Sequence, residues 1–196
     1  MSAQKTPIAT PELVQEEYRS LRATLQHRGT LRFVLALTTW SVWAALALYS
    51  WTNGPAPLAG VIPLLVLIGG FEVVLSLHAG VERVGRYIQL MFESGEPTPP
   101  AWEHTAMVMG RNWLSPGGLD PLFSYVFLGA AMVNSMSAVA GGTTTEIVVA
   151  IATHLLFAVR IIAAQQFVGK QRAHDLGSLT KVISSNSLVS KIQQGR

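Results

Sequence analysis

The sequence predicts an all-α integral membrane protein: a four-helix bundle of two antiparallel transmembrane hairpins, with cytoplasmic amphipathic helices. Only 13% of its 196 residues are charged and 49% are hydrophobic, whereas soluble domains carry about 25% charged residues. Four long apolar segments are separated by turn-rich or basic connections. A segment of about 20 apolar residues can cross a hydrocarbon core of about 30 Å as a helix.

Residues 1–32 are predicted to form a cytoplasmic tail and an amphipathic helix. Thr10 followed by Pro11 has the residue types of a helix N-terminus. The helix has a partial apolar stripe, so we expect it to lie on the membrane surface or against another subunit. This polar stretch does not resemble a cleavable signal peptide, and the first apolar run should therefore remain as an anchor.

The first transmembrane hairpin is predicted over 33–80, with spans at 33–51 and 58–80 joined by the turn "TNGPAP". Gly69 and Gly70 should allow close helix packing. The region 81–120 is predicted to be a cytoplasmic connection, because the second helix continues without a breaker to about residue 93 and a short helical segment follows at 102–114.

The second transmembrane hairpin is predicted over 121–169, with spans at 121–141 and 147–169, and a cytoplasmic C-terminal tail follows over 170–196. Thirteen of the fourteen lysines and arginines lie at the two termini or in the middle connection. By the positive-inside rule we expect both termini in the cytoplasm and a bacterial-type inner or plasma membrane. We interpret this basic charge as a topology signal and not as a nucleic-acid interface.

Glu72 and Arg160 are the strongest candidate pair within the predicted spans. Each lies at a similar distance from the start of a span that runs in the same direction, so both should reach one depth. Charges in hydrocarbon are costly, and opposite charges at one depth favour pairing. We expect a polar layer with the hydroxyls of the first span, Thr38, Thr39 and Ser41. The alternatives are a structural ion pair, a role in ion, proton or solute movement, and no direct contact.

His78 and His154 could suggest axial ligands of a haem. Their positions differ by roughly 20 Å along the bundle, so one haem cannot join them within one chain. We expect instead that His154 forms hydrogen bonds with Asn134 and Ser135 across helices, and that His78 lies near the inner interface.

A metal site is disfavoured by the spacing of the candidate ligands. These are His78, Glu82, Glu103 and His104, and they lack the Glu-x-x-His repeats of di-metal carboxylate bundles. Glu82 is better explained by a helix-surface ion pair with Arg83 or Arg86. We predict no cofactor apart from lipid contacts.

The functional prediction is a non-enzymatic subunit, either structural, assembly or interaction, of a membrane complex. The sequence contains no GxSxG, HExxH, phosphate-binding or dinucleotide-binding motif. The expected partners are the bilayer and either further copies or other membrane subunits. A small channel or transporter that uses Glu72 and Arg160 is the alternative, and a haem- or metal-binding redox protein is the third hypothesis.

Overall fold

Four α-helices form the bundle in the computed structural model, which describes residues 10–54, 57–93, 102, 121–138 and 142–194. The helices are α1 (Pro11–Thr52), α2 (Val61–Phe92), α3 (Pro121–Ala138) and α4 (Thr144–Gln194), and a 3-10 turn at Pro57–Gly60 precedes α2. No strand occurs in these ranges. The predicted all-α helical fold is confirmed.

Three of the helices are long and apolar enough to cross a membrane: α1, the stretch Leu58–Phe92 and the stretch Thr144–Val182. The fourth, α3, is apolar over Phe123–Met136. Its 18 residues measure about 27 Å. The last residues of the span predicted at 121–141 lie outside the described residues, as does the helix predicted at 102–114 apart from Trp102.

Cross-helix contacts establish the direction of each helix. Arg32 of α1 meets His78 of α2 and Arg22 meets Glu93, so these helices run antiparallel. Glu72 of α2 meets Arg160 of α4, and Arg86, further along α2, meets Asp175, further along α4. These two helices are therefore parallel. Asn134 meets His154, while Phe127 and Phe157 both contact Phe71, so α3 is antiparallel to α4. The chain is thus a pair of packed helical hairpins.

An aromatic cluster from all four helices fills the centre of the bundle. Phe71 of α2 makes edge contacts with Phe127 of α3 at 5.5 Å and Phe157 of α4 at 5.8 Å between ring centroids. Trp40 of α1 completes the cluster, with its ring centroid 5.6 Å from that of Phe127. These three phenylalanines are at most 2% exposed. Burial of such large rings is the main apolar contribution to the packing.

Helix ends differ from the sequence prediction in two places. Thr10 is the N-cap with Pro11 in the first turn, as predicted, but its side chain makes no capping hydrogen bond. The tail predicted over 170–196 is helical as far as Gln194, because α4 continues unbroken for 51 residues. The sequence 170–194 contains no proline that would end it.

Candidate functional site

Glu72 and Arg160 form an ion pair between α2 and α4. Arg160 Nη2 donates to Glu72 Oε2 at 2.8 Å. Their side chains are 41% and 42% exposed, respectively, while the neighbouring Phe71 points into the aromatic cluster. The pair therefore opens to the side of the bundle and not to its central axis.

The hydroxyls of Thr38 and Thr39, which we expected in a polar layer with this pair, donate within α1. Thr38 Oγ1 donates to the carbonyl oxygen of Val34 at 2.9 Å, and Thr39 Oγ1 donates to that of Leu35 at 2.8 Å. Ser41 is exposed. In an apolar helix, the carbonyl one turn earlier is the nearest acceptor for a threonine hydroxyl. In the described residues no hydrogen bond joins Thr38 or Thr39 to the ion pair, and a polar layer at this depth stays a prediction.

A lateral groove of about 490 Å³ contains the ion pair. Arg28 of α1, Arg83 of α2 and Gln171 of α4 lie beside it at the charged end of the bundle, and apolar side chains lie between. Three arginines and one glutamate line the groove, which leaves an excess of positive charge.

His78 and Arg32 mark the level at which the apolar part of the bundle ends. Arg32 Nη1 lies 2.8 Å from His78 Nδ1, and a guanidinium can only donate, so Nδ1 is the unprotonated nitrogen. The Arg32 guanidinium also lies 5.0 Å from the Phe123 ring centroid, near the start of α3. From Arg32 to the end of α1 at Thr52 the helix rises about 30 Å, which matches a hydrocarbon core.

His154 and Asn134 form a second buried polar contact near the opposite end. Asn134 Nδ2 lies 2.9 Å from His154 Nε2 and donates to the carbonyl oxygen of Gly60 at 2.8 Å. His154 Nδ1 lies 2.7 Å from the carbonyl oxygen of Ala150, and Trp43 Nε1 donates to Asn134 Oδ1 at 3.4 Å. The predicted contact between His154 and Asn134 is confirmed, whereas Ser135 Oγ donates to the carbonyl oxygen of Met132 at 2.7 Å within its own helix.

The two histidines are far apart along the bundle. His78 lies six residues beyond Glu72 and His154 six residues before Arg160, which separates them by about 18 Å along the axis. Both nitrogens of His154 are within hydrogen-bond distance of other groups. A haem or metal at His154 would therefore have to displace one of these contacts.

The predicted metal ligands are only partly within the described residues. Glu82 pairs with Arg86 at 3.3 Å, as its helix spacing indicated. Glu103 and His104 lie outside the described residues. In the described part of the chain, no group of three or more His, Cys, Asp or Glu side chains could hold a metal ion.

A buried ion-pair network in the charged region was not predicted. Arg86 is 2% exposed, and its Nη2 donates to Asp175 Oδ2 at 2.7 Å. Arg83 Nε donates to the same oxygen at 3.4 Å. Asp175 lies beyond the predicted span, in a region assigned to a peripheral tail. Its position 89 residues after Arg86, against 88 between Glu72 and Arg160, is a signal that could have identified it.

The charged ends of α1, α2 and α4 pack together beyond the Arg32–His78 level, and we call them the helical extension. Arg22 of α1 reaches Glu93 of α2 at 3.3 Å, and Tyr87 Oη donates to Glu17 at 2.8 Å.

Comparison of the chain with protein-family models, curated proteins and solved structures finds no match.

Proposed function

We propose that this protein is a non-enzymatic subunit of a membrane complex, and that the helical extension binds its partner. The observation that carries the proposal is the buried contact of Arg86 with Asp175. A buried ion pair adds little net stability compared with apolar packing, but loss of one partner is strongly destabilising. The pair therefore favours one relative position of α2 and α4 outside the spans, as a docking surface requires.

The charge of the C-terminal part of α4 favours a partner with an acidic surface. This helix continues for 19 residues from Asp175 to Gln194, about 29 Å, whereas α2 ends at Phe92. Residues 176–196 contain three cations, Lys181, Lys191 and Arg196, and no aspartate or glutamate. Val182, which is 57% exposed, lies where α4 begins to extend past the end of α2. Positive charge of this kind accelerates and orients association with an acidic surface.

Site-specific photo-crosslinking in native membranes tests the proposal. A crosslinking residue at Val182 should give a discrete protein adduct, and Asp175→Asn should weaken that adduct by releasing Arg86. The matched control is Leu48, which is 62% exposed in the apolar part of α1 and should give lipid adducts. Absence of a protein adduct at Val182, or an adduct unaffected by Asp175→Asn, would contradict the proposal.

A small channel or transporter is the second candidate, and the partial exposure of the Glu72–Arg160 pair favours it. Because the pair faces sideways, a pathway would run between this chain and a neighbour. Flux assays in liposomes test this candidate. A conducting protein should lose most of its flux in Glu72→Gln, whereas the wild-type protein should show no flux if it acts only as a subunit.

A further inference from the structure

The lateral groove between α2 and α4 crosses the level at which the apolar part of the bundle ends. Glu72 lies six residues inside His78 along α2 and Arg83 five residues beyond it, which is about 9 Å and 7 Å respectively. In a bilayer the groove would therefore begin among the headgroups and end in the hydrocarbon.

Arg28 supplies an unpaired charge at the headgroup end. Within the described residues its guanidinium makes no hydrogen bond or ion pair, and it lies against Gly80 of α2, where a Cβ would be 2.7 Å from Nη1. The missing side chain at Gly80 leaves the room that the guanidinium occupies. Arg83 lies in the same groove, and its side chain is 60% exposed although it also contacts Asp175.

The part of the groove between these arginines and the deeper Glu72–Arg160 pair is apolar. Leu75, Ala79 and Phe167 line it, and Phe167 is 56% exposed. An apolar surface directly below two arginines matches the order of groups in a phospholipid, in which acyl chains follow the phosphate. Basic pockets between transmembrane helices bind anionic headgroups in this way.

We propose that the lateral groove binds one anionic phospholipid, with its phosphate between Arg28 and Arg83 and an acyl chain against Leu75 and Phe167. The proposal is independent of the partner proposed for the helical extension. It commits to a lipid because the charged and apolar parts of one groove lie at the two corresponding depths. A free phosphate would use only the charged part.

Native mass spectrometry of the purified protein tests the proposal, with phosphatidylglycerol and phosphatidylcholine of the same acyl chains as probes. The wild-type protein should retain phosphatidylglycerol in preference. Arg28→Gln with Arg83→Gln should weaken its binding by about 30-fold, since each cation near the surface contributes about 1 kcal/mol. The matched control, Arg19→Gln with Lys181→Gln, removes two exposed cations outside the groove and should bind like the wild-type protein.

A second variant leaves all charges in place. Gly80→Ala should displace the flexible end of Arg28 from the groove and weaken phosphatidylglycerol binding several-fold while the helices remain folded. Equal binding of the two lipids, or no loss in either groove variant, would overturn the proposal. Binding of inorganic phosphate without any lipid preference would also overturn it. So would a wild-type protein that is a dimer without bound lipid and that these variants convert to monomers.

Discussion

Two adjacent glycines on α2, Gly69 and Gly70, have very different surroundings. Gly69 and Gly70 were both predicted to allow close packing. A Cβ at Gly70 would overlap the side chain of Thr39 on α1, whereas one at Gly69 would meet nothing within 4 Å. Of the two, Gly70 therefore allows α1 and α2 to approach, whereas no described residue packs closely against Gly69.

We predict that Gly70→Ala destabilises the bundle by about 1–3 kcal/mol, because Thr39 is branched and has little freedom to move. Gly69→Ala is the matched control and should leave stability unchanged or raise it by up to about 1 kcal/mol, the difference in helix propensity. Reversible unfolding in mixed micelles, followed by tryptophan fluorescence, measures both. Equal effects of the two substitutions would contradict the assignment.

The Glu72–Arg160 pair should behave as a coupled unit. We predict that Glu72→Gln and Arg160→Gln each lower the free energy of unfolding by about 1–3 kcal/mol, because each leaves a partner charge without its counterion. The exchange Glu72→Arg with Arg160→Glu should restore most of the loss. A double-mutant cycle measures the coupling, and additive losses would show that the contact is not energetically important.

Three helices, α1, α2 and α4, continue beyond the apolar part of the bundle. Arg86 and Asp175 join α2 to α4 there, and Arg22 and Glu93 join α1 to α2. Arg86 is buried while Arg83 is largely exposed, although both contact Asp175. The two arginines should therefore contribute unequally to the rigidity of this region.

We predict that Arg86→Met loosens the helical extension and that Arg83→Gln, the control, does not. Spin labels at Met91 and Val182, both exposed, can be placed without background because the chain has no cysteine. The distance distribution between the labels should broaden in Arg86→Met, since Asp175 loses its closest counterion. An unchanged distribution in that variant would mean that apolar contacts alone hold α2 and α4 in register.

At the scale of the whole molecule, the two hairpins bring three groups of ionisable residues to one end. The N-terminal part of α1 and the C-terminal parts of α2 and α4 meet there through ion pairs. The opposite end carries the turn at Gly54 and the start of α4 at Thr144. The positive-inside rule predicts orientation from this uneven distribution of lysine and arginine between the two ends.

We predict that the charged end is cytoplasmic. Single cysteines at Asn53 and Thr145 should react with a membrane-impermeant maleimide in intact cells. Cysteines at Gln26 and Lys181 should react only after permeabilisation. All four residues are exposed in the structure, so differences in labelling report the side of the membrane, and the reverse pattern would overturn the predicted topology.

The sequence was sufficient for the helices and for one ion pair, because both depend on regular spacing. Apolar segments of spanning length predicted all four helices, and equal depth placed Glu72 level with Arg160. The contact of Arg86 with Asp175 follows the same spacing but lies outside the apolar segments, so hydrophobicity does not indicate it. For the hydroxyls of α1, spacing gives the depth but not the acceptor of each hydrogen bond.

Composition and periodicity by themselves determined that this chain is helical and apolar enough for a membrane, because hydrocarbon requires long segments whose backbone is satisfied internally. Which side of each helix faces inward follows only from the packing of the helices against one another. Helix rotation depends on the packing of Phe71, Phe127 and Phe157 at the centre, and no single segment encodes that packing. The same rotation turns Glu72 and Arg160 to the side of the bundle, where they line the groove with Arg28 and Arg83.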